Sequence, residues 1–74
     1  MSGDVYHLDR RGRLHRTNGP AIIFASGVEM WFYKGERHRT DGPAVIRPDG
    51  VCYWFLFGSQ VSEEEFIERV KDWA

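Results

Sequence analysis

Two histidine–arginine pairs, His15-Arg16 and His38-Arg39, stand in nearly identical phrases: HRTNGPA over residues 15–21 and HRTDGPA over 38–44. An imidazole beside a guanidinium offers a hydrogen-bonding hook and a bidentate cation, the chemistry that grips a phosphate or a carboxylate. The same letters also have a structural account. Thr-Asn-Gly-Pro and Thr-Asp-Gly-Pro are strong turn sequences, in which the Asn or Asp side chain bonds nearby backbone and Gly supplies a positive φ. Pro then opens the next strand where no ladder N–H is needed, and the imidazole is free to secure a loop carbonyl. Turn chemistry explains every letter of NGP and DGP and leaves the arginines over.

Other chemistries find less support. His7, His15, His38 and Cys52 lack the spacing of any zinc motif. Cys52 has no local His partner and sits mid-strand, where an inert buried thiol is expected. Ser26, Ser59 and Ser62 read as turn or cap residues, and Glu63, Glu64 and Glu65 as a solvated helix start. No catalytic set, metal or cofactor is expected. The aromatic residues carry more: 5 Phe, 3 Tyr and 3 Trp make 15% of the chain. Trp31, Trp54, Tyr33 and Tyr53 lie in apolar runs, and such side chains dominate interface energetics.

Composition narrows the class further. Ten Lys and Arg against 11 Asp and Glu give a net charge of -1, which favours neither a nucleic-acid binder nor an acidic mimic. Arg10, Arg11, Arg13 and Arg16 form a basic end, opposed by the acidic Glu63–Glu65 segment. A single cysteine permits no intramolecular disulfide and points to a reducing, cytoplasmic setting. No leader-like apolar core is present, and the longest apolar run, Val51 to Phe57, is far below the roughly 18 residues of a membrane span. One domain, 1–74, is expected. A chain this short buries only about 60% of its unfolded surface, so a homodimer or a docked partner is the expected staple.

The elements that must position these residues repeat. His15 to His38, Gly19 to Gly42, Gly27 to Gly50 and Trp31 to Trp54 are each 23 residues apart. Residues 12–34 laid over 35–57 give 12 identities in 23: Gly, His, Arg, Thr, Gly, Pro, Ala, Ile, Gly, Val, Trp and Phe. Val5, Val28 and Val51 continue the period. Each unit reads as a β-hairpin: PAIIFA and PAVIR end at Ser26-Gly27 and Asp49-Gly50, and VEMWFY and VCYWFLF return. Gly35 and Gly58 turn the chain again. Strict alternation would place Met30 and Trp31 on opposite faces.

In the tail, Ser62 and Glu65 form a capping box, and Phe66, Ile67, Val70 and Trp73 make one apolar helical stripe. The expected fold is therefore α+β, mainly β: an antiparallel meander of about five strands over 5–61, closed by a C-terminal helix over 62–74.

The pattern G-x-x-HR-x-[DN]-GPA-x(5)-G-x(3)-W, closing on GSQVSEEEF, resembles tandem repeats of small proteins from phages and large DNA viruses, relatives of MORN-type hairpin repeats and antitoxin-like repeat proteins. The resemblance spans residues 5 to about 66. It implies a hairpin-repeat architecture, a viral or mobile-element origin and no catalytic residue set. The first unit departs from it, with Leu8 at the position of Trp31 and Trp54.

The combined expectation is a non-enzymatic binding module. As a phage-encoded accessory protein in the host cytoplasm, it would bind and inhibit a host protein, a defence factor among the candidates. Trp31, Trp54, Tyr33 and Tyr53 would supply an aromatic sheet surface, and His15, Arg16, His38 and Arg39 a basic rim. The alternative is a nucleotide or nucleic-acid binder in which the His-Arg pairs grip phosphate and an aromatic ring stacks on a base.

Overall fold

The computed structural model describes residues 3–73. It is mainly antiparallel strand with one C-terminal helix. The strands are β1 (Val5–Tyr6), β2 (Ile22–Ile23), β3 (Glu29–Met30), β4 (Phe32–Tyr33), β5 (Glu36–Arg37), β6 (Val45–Ile46), β7 (Cys52–Leu56) and β8 (Ser59–Val61), followed by α1 (Glu63–Val70). In place of about five strands, the described residues form eight shorter ones: a six-stranded sheet in the order β1-β2-β3-β6-β7-β8 and a separate hairpin, β4-β5.

Trp31 is where the chain leaves one sheet for the other. Its N–H donates to the Ala44 carbonyl at 2.7 Å, and its own carbonyl accepts from His38 N–H at 3.1 Å. The run VEMWFY is thereby split, β3 pairing forward with β6 while β4 folds onto β5. Alternation fails at this joint: Met30 and Trp31 both pack against the cluster of Ala44, Val45 and Phe55. Trp54 causes no such break. β7 runs unbroken from Cys52 through Trp54 to Leu56, pairs with β6 and β8, and packs against α1.

The first unit is offset. Val5 and Tyr6 face Ile23 and Ile22, as Glu29 and Met30 face Ile46 and Val45. His7 donates to Ala21 O and accepts from His15 N–H, which are the two bonds of Trp31. The structural counterpart of Trp31 is therefore His7, not Leu8. The hairpin from Leu8 to Leu14 holds one residue more than its successor, and Asp9 secures it by accepting the backbone N–H groups of Arg11 and Arg13 at 2.9 and 3.0 Å.

Two turn types alternate. At Ser26-Gly27 and Asp49-Gly50 the glycines take φ of 101° and 92°, closing a type I turn with a bulge. Lys34-Gly35 and Phe57-Gly58 have φ of 52° and 86°, then 52° and 87°, the two left-handed residues of a type I′ turn. Around these turns the buried apolar core is small: Ala21, Ile22, Ala44, Val45, Phe55, Leu56 and Phe66.

Ser62 caps α1, its Oγ accepting Glu65 N–H at 3.1 Å, with Glu63, Glu64 and Glu65 at the positive end of the dipole. The helix spans less than the expected 62–74, ending at Val70, and its buried stripe is narrower. Phe66 is buried and Val70 half-buried, but Ile67 and Trp73 are exposed.

Candidate functional site

Each HRTxGP phrase folds around its own arginine. Arg39 Nε meets Asp41 Oδ1 at 2.8 Å, and Nη1 donates to Pro43 O at 3.0 Å. Arg16 repeats this with Asn18 Oδ1 and Pro20 O, both at 3.2 Å. The glycines between owe their identity to this ring of bonds. Neither Gly19 nor Gly42 has the positive φ expected of them; a Cβ there would lie 2.9 Å from the guanidinium carbon of Arg16 or Arg39. The glycine leaves open the space beside the backbone that the guanidinium occupies.

Each guanidinium also meets the preceding unit, Arg39 through its face and Arg16 through an N–H group. Arg39 sits 3.8 Å from the centroid of the Trp31 ring, a cation–π contact worth about 0.5–2 kcal/mol. Arg16 donates to His7 Nε2 at 3.1 Å, consistent with His7 holding the structural place of Trp31.

The imidazoles serve the type I′ turns. His15 Nδ1 accepts Lys34 N–H at 2.9 Å, and His38 Nδ1 accepts Phe57 N–H at 3.0 Å. Each histidine therefore binds an amide donor 19 residues ahead, in place of the loop carbonyl expected of it, and carries its neutral-state proton on Nε2. Burial holds the His38 pKa below its ordinary 6.5, partly offset by the Glu36 carboxylate.

Stacking the units aligns these rings. His15 and Tyr33 lie 4.8 Å apart, Tyr33 and His38 6.2 Å, His38 and Phe57 4.3 Å, and Phe57 and Trp73 5.8 Å. The ladder is open to solvent: Tyr33, Phe57 and Trp73 are 40%, 56% and 44% exposed. Beside it, between the two phrases, lies an open cleft of about 300 Å³ lined by Arg16, Thr17, Trp31, Tyr33, His38, Arg39, Thr40 and Asp41.

Of the eight residues expected to bind, Arg16, Trp31, Tyr33, His38 and Arg39 thus meet in one cleft, and His15 flanks it through Tyr33. Trp54 and Tyr53 do not join them. Tyr53 packs on the core cluster, and half-buried Trp54 pairs with Val61 in β7-β8. Trp31 is likewise half-buried beneath Arg39. Phe57 and Trp73 are not among the residues expected to bind: Trp73 is expected in the apolar stripe of the helix, and the one signal for Phe57 is that it repeats Lys34 at the turn before a period glycine. Cys52 is half-buried, its thiol 3.5 Å from Gly50 O.

No protein-family model, curated protein or solved structure matches this chain. What the site can do rests on its own chemistry. Among the described residues, no cluster of three His, Cys, Asp or Glu side chains is placed to hold a metal ion, and no helix is long and apolar enough to cross a membrane.

Proposed function

We propose that this protein is a non-catalytic binding module that docks a protein partner through the Tyr33–His38–Phe57–Trp73 ladder. The observation carrying the reading is a continuous row of half-exposed rings in a chain with a small core. Contiguous exposed aromatic surface characterises interfaces, and such anchors contribute most of the binding energy. The histidines hold the ladder rigid through the Lys34 and Phe57 amides, so little side-chain freedom is lost on docking. The resemblance of the repeat to those of phages and large DNA viruses supports an inhibitory role against a host protein, with defence factors among the targets. A second copy of the chain is the competing occupant of the same surface.

The test is capture from host lysate with wild type, Phe57→Ser, Trp73→Ser and, as a surface control, Val5→Ser, alongside mass by light scattering. Specific capture should be lost in both ladder variants and kept in the control. A dimer that dissociates on Phe57→Ser would assign the ladder to self-association. Capture unchanged by either ladder substitution, in proteins with native circular dichroism, refutes the docking surface.

A further inference from the structure

Arg16 and Arg39 occupy equivalent places, but their charges are not equally matched. The two seven-residue phrases differ at one letter, Asn18 against Asp41. Asp41 gives Arg39 a carboxylate at 2.8 Å. Asn18 gives Arg16 only an amide oxygen, and its other two hydrogen bonds also end on neutral groups, the His7 ring and the Pro20 carbonyl. None of the five ion pairs among the described residues includes Arg16. Arg16 is also half-buried, and an unmatched charge is more costly there than in full contact with water.

The cleft that Arg16 lines is short of acceptors as well. Trp31 is part of its wall, but the ring's Nε1 is closed to solvent and has no hydrogen-bond partner among the described residues, so the donors within an anion's reach are those of the other lining side chains. His38, with Nδ1 occupied by Phe57 N–H, presents an Nε2–H. Thr17 and Thr40 bring hydroxyls to the lining. The one carboxylate, Asp41, is 75% exposed and already engaged by Arg39. Donors in excess and one unmatched cation call for a ligand that is anionic and rich in acceptors.

We infer that this cleft binds a small oxyanion, a phosphate monoester or a carboxylate, held by the Arg16 guanidinium. With Nε on Asn18 and Nη1 on His7 and Pro20, the guanidinium keeps the two N–H groups of Nη2 to donate, as charge-assisted bonds, to the oxygens of an anion. The volume of about 300 Å³ lies at the lower end of small-molecule sites, and the Tyr33 wall offers a planar substituent a ring to rest on. Unit two, with its own Asp41, carries the anion internally; unit one takes it from outside.

The discriminating variant is Asn18→Asp, which writes the second unit's phrase into the first and supplies Arg16 with the carboxylate that Arg39 already has. The full-length wild type and variant are titrated at low ionic strength with inorganic phosphate, adenosine monophosphate and succinate. The Trp31 indole and Arg16 Nε–H resonances are followed by NMR, and the urea midpoint verifies the fold. At least one anion should shift both resonances saturably, with Asn18→Asp weakening it by about tenfold or more and Val5→Ser, remote from the cleft, leaving it unchanged. Preference for the phosphates assigns a phosphate ligand, preference for succinate a carboxylate, and tighter binding of the nucleotide than of phosphate assigns the Tyr33 wall to its base. No saturable shift with any of the three at tens of millimolar, or equal binding by Asn18→Asp, overturns the inference. Asn18→Asp alters no ladder ring, so failure here leaves the docking surface standing, and failure of that surface leaves this site standing.

Discussion

The Arg39 guanidinium lies 3.8 Å from the centroid of the Trp31 ring, with its Nε on Asp41 and its Nη1 on the Pro43 carbonyl. One side chain thus closes its own turn and clamps the joint at which the preceding unit passes from one sheet to the other. Gly42 is what lets it lie there.

Gly42→Ala should therefore act through Arg39. The added methyl would sit 2.9 Å from Cζ and must displace the guanidinium against its bonds to Asp41 and Pro43, a cost near the lower end of about 1–3 kcal/mol. In an Arg39→Ala background that cost should largely vanish. Urea denaturation of the four proteins of the cycle measures the coupling; strictly additive effects would show that Gly42 is required for some other reason.

The turn at Lys34 leaves stability to be gained. Lys34 has φ of 52°, a left-handed conformation costing an ordinary residue about 1–2 kcal/mol, and asparagine tolerates it better. Its side chain makes one weak contact, the ammonium 5.3 Å from the Tyr33 centroid. Lys34→Asn should raise stability by about 0.5–1 kcal/mol, or a few degrees in Tm for a domain of this size. Phe57→Asn, at the same φ, should gain nothing, because it removes the ring stacked between His38 and Trp73. Thermal melts of the two variants separate backbone strain from ring packing.

Acid should loosen the second type I′ turn. Protonating His38 puts a hydrogen on Nδ1, which now accepts the Phe57 N–H, and burial already favours the neutral ring against the pull of Glu36. With the folded pKa below the ordinary 6.5, the unfolded chain takes up the proton first, so stability rises with pH across the window. This contribution is complete above about 6.5 and is lost as pH falls through the lower folded value. Urea midpoints for wild type and His38→Gln, taken from neutral pH downward, should converge as the medium is acidified. A constant gap would remove His38 from the acid response.

Much of the fold was legible in the residues. The 23-residue spacing of His, Gly and Trp marks hairpin units because each turn needs its glycine at one fixed place, and Ser62 with its acidic followers marks a helix start for equally local reasons. The arginines of HRTNGPA and HRTDGPA were not legible, since their partners are a carbonyl four residues on and a ring in the preceding unit. Nor was the one-residue offset of the first unit, where Val5 matches Val28 by letter but Glu29 by pairing: register is set by the hydrogen bonds of the whole sheet.

The same division holds for the site. Residue types alone marked the His-Arg pairs and Tyr33 as chemistry-bearing, because imidazole, guanidinium and phenol have fixed hydrogen-bonding capacities wherever they stand. Which of them share a cleft, which ring is covered by a guanidinium and which is left to solvent were decided by stacking one unit on the next. That step brings Arg16 and Arg39, 23 residues apart, to one opening. It turns Trp31 inward, Phe57 and Trp73 outward, and it gives a single letter, Asn18 in place of aspartate, an electrostatic consequence: a cation without a carboxylate can be recognised only once its neighbours in space are known.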